Sequence, residues 1–372
     1  MMRYRTLVVL ALIALLLTGC FRRRKYENPI TQDTVQPDKV LFDKAIQDLE
    51  KGRYQVARLT LQTLINTYDT SEFLAKAKLA IADSWFREGG GHALAQAEAE
   101  YKDFILFYPT LEEAAEAQSR ICMIHFKQME KPDRDPMHAI RADDECRQLM
   151  AQFPNSRFAP VMQQRLREVQ EVIADGEYRV GDFYYKKGSY PASVNRLDTM
   201  VNHYPLFSRA DEALWRVGEA YAKMGPRFQQ QSAEAFQEIV RNYPLSPLAE
   251  DAKRRLRNIE VEIPEPDPVA IARMEYELAN AEQLGMMGRF WGVFRKSPNV
   301  KSAAKSGTPA EVPLRPTIPV SVPVPGTGTS LLGADVTASP VTDPAALDTK
   351  PDARRSAPRQ RTGEQNSKPP GK

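Results

Sequence analysis

An aromatic residue recurs near the end of five successive segments that have helical hydrophobic periodicity, and this repeat constrains the fold more than any other feature. The spacings between consecutive aromatic residues are 40, 45, 51 and 39 residues, and proline follows directly in four of the five segments. Near-regular spacing on this scale is typical of proteins in which similar helical units stack in series. The aromatic residues are Tyr68, Tyr108, Phe153, Tyr204 and Tyr243.

The residues before each aromatic residue form three columns. Offsets of four, seven and eleven residues lie on one face of a helix. The residues eleven positions before each aromatic residue are small, which lets a paired helix approach closely. The larger residues seven and four positions before it fill the space between the helices. The columns are Ala57, Ala97, Ala142, Ser193 and Ser232 at eleven; Leu61, Tyr101, Cys146, Leu197 and Phe236 at seven; and Leu64, Phe104, Leu149, Met200 and Ile239 at four.

This pattern resembles the second helix of the tetratricopeptide repeat, which proline terminates. Gly52 and Gly188, each sixteen residues before its aromatic residue, match the turn between the two helices of that repeat. We therefore predict an all-α, tetratricopeptide-like helical solenoid of about five repeats. The spacings exceed the standard repeat of about 34 residues, so the loops and first helices must be longer.

The interval between the third and fourth aromatic residues is the longest. Apolar residues recur within it at three- and four-residue steps from Phe158 to Tyr184. This periodicity predicts one long helix that bridges the third and fourth repeats. The helix would divide the solenoid into N-terminal repeats, residues 37–155, and a module of the long helix and the C-terminal repeats, residues 156–260.

Residues 1–19 have the pattern of a signal peptide, since Arg3 and Arg5 precede an apolar run too short to span a bilayer. Residues 17–20, LTGC, resemble the bacterial lipobox and predict a covalent diacylglycerol and an N-acyl chain on Cys20. Apart from these acyl chains we expect no cofactor. Many Gram-negative lipoproteins with Asp directly after the lipidated cysteine are retained at the inner membrane. Phe21 occupies that position here, so we expect a stable anchor on the periplasmic side of the outer membrane. An ordinary secretory peptide is the alternative.

The lipidated tether is predicted to span residues 20–36. Its basic cluster, Arg22 to Lys25, either contacts anionic lipid headgroups or is a solvated linker. No other basic cluster of this density occurs, and the net charge of the whole chain is only +3. This balance argues against a nucleic-acid partner.

The sequence lacks signatures of catalysis. Its four histidines have no metal-ligand spacing of the HExxH kind, and no phosphate loop, dinucleotide fingerprint or nucleophile elbow occurs. We therefore expect a protein-binding scaffold that is not an enzyme and holds no metal.

Besides Cys20, the chain contains Cys122 and Cys146, in a compartment that permits disulfides. Cys146 occupies a packing column of the third repeat, and Cys122 lies on the preceding helix. A turn near Pro132 would bring them opposite each other. The two cysteines either form a disulfide or remain small buried thiols.

The character of the chain changes after Leu256. Residues 261–296 are predicted to be a proline-punctuated linker followed by an amphipathic helix from Val269 to Phe294, and residues 297–372 a disordered, proline-rich tail. The helix either caps the solenoid or presents its distal end, Gly285 to Lys296, to a partner or a lipid interface. The aromatic cluster at that end is Phe290, Trp291 and Phe294.

Two segments carry a specific family resemblance. They are RDPMHAIRADDECRQLMAQFPNSRFAP, residues 134–160, and EYRVGDFYYKKGSYPASVNRLDTMVNHYP, residues 177–205. Together with the lipobox and the repeats, they resemble the BamD family, the lipoprotein partners of the β-barrel assembly machine of the outer membrane. The resemblance covers about residues 20–260, and the tail beyond has no counterpart in shorter family members.

The resemblance implies a scaffold that binds the POTRA domain of a BamA-like barrel protein and helps to receive and insert unfolded outer-membrane proteins. By the family pattern, the C-terminal repeats face the POTRA domain. Arg196 matches a position associated with the barrel partner, and Asn195, Tyr184 and Tyr185 lie in the same segment. The alternative for Arg196 is a local ion pair on the helix surface.

Two other functions are compatible with the sequence. One is another periplasmic tetratricopeptide adaptor, such as a pilotin or a cell-division coordinator. The other is an envelope enzyme whose site is assembled from residues scattered between repeats.

Overall fold

The computed structural model describes residues 35–280 and 296–312, and these residues form twelve α-helices and no strand. A single 3₁₀ turn, Pro226–Phe228, precedes the tenth helix. The helices are α1 (Pro37–Glu50), α2 (Tyr54–Thr67), α3 (Leu74–Glu88), α4 (Gly90–Phe107), α5 (Glu112–Gln128), α6 (Met137–Gln152), α7 (Ala159–Lys186), α8 (Tyr190–His203), α9 (Ala210–Met224), α10 (Gln229–Asn242), α11 (Ala249–Asn258) and α12 (Pro268–Asn280).

Consecutive helices pack as hairpins, and each hairpin packs on the next. The five pairs from α1/α2 to α9/α10 are the five predicted repeats, and α11 packs on α10 after the last of them. The small and bulky columns are buried in all five repeats. The turn glycines Gly52 and Gly188 have φ values of 71° and 78°, which glycine adopts without steric cost. The predicted all-α solenoid of about five repeats is confirmed.

Tyr204 shows why the second helices of the last four repeats end at their aromatic residue. The Tyr204 amide donates the last helical hydrogen bond, 2.8 Å, to the carbonyl oxygen of Met200. Its own backbone then leaves the helical region, with φ −120° and ψ 64°, because proline at 205 disfavours helix for the residue before it. The equivalent amide closes the second helix in the other four repeats, at Tyr68, Tyr108, Phe153 and Tyr243.

The predicted long helix is α7, with 28 residues. Its N-terminal part carries Met162 and Leu166 into the apolar core of the third repeat, beside Cys146. Its C-terminal part carries Tyr178 into the core shared by the last two repeats. One continuous helix thus belongs to both halves of the solenoid, because residues of the same helix are buried in both cores.

The C-terminal region differs in part from the expectation. The predicted amphipathic helix is present as α12 up to Asn280, and its remainder, residues 281–295, lies outside the described residues. Residues 297–312, predicted to be disordered, instead pack against α7 without regular secondary structure, and Ala303 and Ala304 are buried. The physical reason is that side chains of α7 hydrogen-bond to this segment, including Gln170 to the backbone of Ala310.

Candidate functional site

Tyr185 lies at the C-terminal end of α7 and contacts α9 across the boundary between the fourth and fifth repeats. Its hydroxyl donates to Glu219 Oε2 at 2.7 Å and accepts from Lys223 Nζ at 2.8 Å. Burial raises the pKa of the Tyr185 hydroxyl above its usual range, so the group stays protonated. Tyr185 therefore uses its hydroxyl to join two repeats of its own chain.

Ion pairs continue this connection along the first helices of the C-terminal repeats. Asp182 of α7 lies 3.3 Å from the Nε of Arg216 on α9, and Glu219 of α9 accepts from Arg255 of α11 at 3.0 Å. Partly exposed pairs of this kind each contribute under about 1 kcal/mol. They act mainly by holding α7, α9 and α11 in one orientation, so that the surface beside them keeps its shape.

Arg196 lies on α8, and its Nη1 is 3.0 Å from Oε2 of Glu177 on α7. The local ion pair considered from the sequence is therefore present. The arginine side chain nevertheless remains 48% exposed, and a guanidinium has five N–H donors, of which this pair needs only one. Asn195 precedes it and is half-buried. The Glu177 contact orients Arg196 at the surface and leaves room for a second carboxylate.

Apolar side chains lie beside this ion pair. Val180 and Tyr184 follow Glu177 by three and seven residues and so share its stripe of α7. Val180 is 40% and Phe183 54% exposed, and the rings of Phe183 and Tyr184 meet edge to face at 5.8 Å. We call Glu177, Val180, Phe183, Tyr184 and Arg196 the α7–α8 surface.

The α7–α8 surface was only partly found from the sequence. The resemblance singles out its arginine and its tyrosine, whereas Val180 and Phe183 count only toward the apolar periodicity that predicts the long helix. Both side chains are apolar and fall at three- and four-residue steps, so periodicity alone could not separate them from core residues. Val180 and Phe183 remain exposed because α8 packs on a neighbouring stripe of α7, where Leu197 lies against Gly181.

The N-terminal repeats also expose apolar side chains. Leu59 on α2 is 71% exposed, and the adjacent residues Leu106 and Phe107 at the end of α4 are 74% and 61% exposed. Lys78 places its Nζ 4.1 Å from the centre of the Phe107 ring. Isolated exposed apolar residues are normal, but an adjacent leucine and phenylalanine form a small contact point for another chain.

One group of His and acidic side chains among residues 35–280 and 296–312 is compact enough to hold a metal ion: Glu98, His125 and Glu145, whose ligand atoms lie within 4.8 Å of one another. Lys102 Nζ, however, lies 2.7 Å from Glu98 Oε1 and 2.9 Å from Glu145 Oε1. The ammonium already supplies the positive charge that these carboxylates require, so the group is an ion-pair cluster between the second and third repeats.

The disulfide is present between Cys122 of α5 and Cys146 of α6, with Cα atoms 5.1 Å apart. This separation meets the distance condition for a bridge, and both residues are fully buried. The bond joins the two helices of the third repeat, next to the start of α7. It therefore fixes the hairpin on which the long helix rests.

Some predicted site residues lie outside the described part of the chain. They are the lipidation site Cys20 and the aromatic cluster Phe290, Trp291 and Phe294. Within the described part, no helix is both long and apolar enough to cross a membrane.

Comparison with known proteins identifies the family. Residues 34–230 match the family model YfiO, described as outer membrane lipoprotein. Three similar relatives are outer membrane protein assembly factors named BamD. The Rickettsia prowazekii protein is 26% identical over 68% of this chain and 97% of its own length; the Vibrio cholerae protein is 25% identical over 60% and 93%, and the Caulobacter vibrioides protein 22% over 59% and 70%. The chain therefore belongs to the YfiO family of outer membrane lipoproteins, the family of BamD.

Proposed function

We propose that this chain is an outer-membrane protein assembly factor that works as a non-catalytic scaffold. In this proposal, the α7–α8 surface binds the POTRA domain of a BamA-like β-barrel protein. The relatives share the assembly role by name, and the fold supports a scaffold because its repeats form one continuous packed surface.

The observation that carries the proposal is the exposed Arg196 beside exposed apolar residues. Arginine and aromatic side chains are enriched at the centres of protein interfaces, where they account for most of the binding energy. The guanidinium can clamp a partner carboxylate through two parallel hydrogen bonds while Glu177 holds it in place. Phe183 and Val180 would exclude water from that contact and strengthen it.

The N-terminal repeats have a second role in this proposal. The exposed Leu106 and Phe107 offer apolar contacts to unfolded outer-membrane proteins on their way to the barrel partner. The third repeat, cross-linked by the disulfide, lies between this region and the α7–α8 surface, since α5 packs on α4 and α6 packs on α7. Both ends of the scaffold would then act on one substrate chain.

Lipidation of Cys20 would hold the scaffold at the periplasmic side of the outer membrane, since two or three acyl chains form a stable anchor. The variant Cys20→Ser should leave the protein soluble or unprocessed in cell fractionation. Partitioning of that variant with outer membranes to the same extent as the natural chain would remove the lipid anchor from the proposal.

The test of the partner is affinity purification of the full lipidated chain from detergent-solubilised membranes. It should bring down a large β-barrel protein, and Arg196→Ala should reduce the amount at least about tenfold, as expected for an interface hot spot. Arg157→Ala is the matched control, because this arginine is 68% exposed and pairs only at 3.8 Å. Recovery of other periplasmic proteins without a barrel protein would favour a pilotin or a cell-division adaptor instead.

A further inference from the structure

Three long polar side chains in the middle of α7 are buried although they do not face an apolar core. Arg167 is 8% exposed, and Gln170 and Glu171 are each 6% exposed. Long charged and amide side chains are rarely buried unless they are paired, because burial removes their hydrogen bonds to water. Here, residues 296–312 of the same chain cover all three and supply hydrogen-bonding groups.

Gln170 binds this segment through its backbone. Its Nε2 donates to the carbonyl oxygen of Ala310 at 2.8 Å, and its Oε1 accepts from the Ala310 amide at 3.1 Å. The side-chain amide of Gln170 thus makes to Ala310 the two kinds of backbone hydrogen bond that a neighbouring strand would make in a β-sheet. Such a pair of bonds recognises a backbone whatever its side chains are.

The neighbouring side chains continue the contact. Arg167 Nη1 donates to the carbonyl oxygen of Ala304 at 3.4 Å, and Glu171 Oε1 accepts from the hydroxyl of Ser302 at 3.1 Å. Glu171 also accepts from the amide of Ser208, in the loop before α9, at 3.1 Å. The site therefore consists of one face of α7 and the loop between α8 and α9.

The segment contributes small side chains to the site. Ala303, Ala304 and Pro309 are buried, and Gly307 has φ 85° where an added Cβ would lie 3.0 Å from the side chain of Leu206. A chain with larger residues at these positions would not fit so closely. The groove therefore fits a peptide of small residues and proline that has no regular secondary structure and turns at residues 301–303.

We propose that this groove is a peptide-binding site and that residues 296–312 are its tethered, displaceable ligand. Two alanines and a proline bury little apolar surface, so the segment is held mainly by polar contacts, among them the 2.8 Å ion pair between Lys296 Nζ and Glu130 Oε1, and by its covalent connection. A tether can act as an effective ligand concentration of about a millimolar. A free peptide of the same kind can then bind only when the tethered segment is released. This inference does not depend on the partner proposed for the α7–α8 surface.

The test uses a fluorescein-labelled synthetic peptide of residues 296–312 and the full chain, with fluorescence anisotropy as the readout. In the release variant, Ala303→Asp is combined with Ala310→Pro. The aspartate adds a buried negative charge near Glu171, and the proline removes the amide that donates to Gln170. We expect the peptide to bind the release variant at least about tenfold more tightly than the natural chain.

Gln170→Leu in the release variant should abolish peptide binding, and Gln164→Leu, on another face of α7, is the matched control that should leave it intact. A peptide with the same two substitutions should not bind. The proposal is overturned if a release variant with native far-ultraviolet circular dichroism binds no peptide, or if the natural chain binds it equally well. A dimer of the natural chain whose segment can be cross-linked to α7 of a second copy would also overturn it, because the occupant would then not be tethered.

Discussion

Ser193 donates its hydroxyl to the carbonyl oxygen of Gly181 at 2.8 Å, and Ser232 makes the same bond to Gly218 one repeat later. In both repeats, the serine occupies the small column of the second helix and the glycine lies opposite on the first helix. Each bond satisfies a hydroxyl that would otherwise be buried without a partner. The pairing sets the closest approach of the two helices, which explains why both positions are small.

We expect Gly218→Ala to destabilise the fold by about 1–2 kcal/mol, because overpacking outweighs the gain in helix propensity of about 1 kcal/mol. The added Cβ would lie 2.7 Å from Cζ of the buried Phe236 ring. Gly91→Ala is the control, since that glycine lies in α4 and an added Cβ there meets no atom within 4 Å. Chemical denaturation of the two variants measures the difference, and equal stabilities would contradict this account of the helix approach.

The same contact shows what could be predicted from the sequence. The second helices carry their packing residues at fixed distances from a helix-ending aromatic residue, so their buried faces were found from spacing alone. Gly181 and Gly218 lie on first helices, where no repeated marker sets the register. Their close contacts with Leu197 and Phe236 follow from how the two helices dock. Local periodicity contains no such information.

The segment of residues 296–312 was missed for a related reason. Its composition is rich in small residues, proline and serine, and such chains cannot bury enough apolar surface to fold alone. The segment is ordered by a surface that already exists on α7, chiefly by Gln170. Predicting it would require knowing that α7 buries polar side chains, and the apolar periodicity of α7 does not reveal that.

Reducing the Cys122–Cys146 disulfide should lower the free energy of unfolding by about 3 kcal/mol. The two cysteines are 24 residues apart, and a closed loop of this size restricts the unfolded chain by roughly that amount. Urea denaturation with and without dithiothreitol measures the change. The double variant Cys122→Ala, Cys146→Ala should match the reduced natural chain and show no response to the reductant. An unchanged stability of the natural chain after verified reduction would refute this prediction.

Stability should fall as the pH drops below about 6.5, because His125 is buried and burial lowers the pKa of its imidazole. The negative charges of Glu98 and Glu145 raise this pKa, whereas the positive charges of His138 and Arg141 lower it further. The unfolded chain, with the usual histidine pKa of 6.5, takes up the proton more readily than the folded chain. Stability from neutral His125 is therefore fully present above about pH 6.5 and is lost as the pH falls towards the folded-state value.

Protonation of His125 should change the free energy of unfolding by at most about 1.4 kcal/mol per pH unit. Denaturation of the natural chain between pH 7.5 and 5.5 should show it, and His125→Gln should flatten the profile. His92→Gln, at an exposed site on α4, controls for the removal of one imidazole. A profile for His125→Gln that parallels the natural chain would assign the pH dependence to other groups.

The two halves of the predicted C-terminal helix should differ in what they do. The first half, α12, packs on the fifth repeat: Ala270 is buried, and Arg273 Nη2 donates to the carbonyl oxygen of Asn242 at 2.8 Å. Because a buried arginine at position 270 would force α12 off the repeat, Ala270→Arg should cost about 1–3 kcal/mol. For a protein of this size, each kcal/mol lowers the midpoint of thermal unfolding by about 2–4 °C.

The second half contains the aromatic cluster of Phe290, Trp291 and Phe294, and we expect it to bind a partner or a lipid interface. Replacing all three residues with serine should leave the thermal midpoint within about 1 °C of the natural value, because the cluster would not contribute to the packing of the repeats. The same variant should recover less barrel protein and sediment less with phospholipid vesicles. A fall in midpoint as large as that of Ala270→Arg, with both kinds of binding intact, would instead make the cluster part of the solenoid cap.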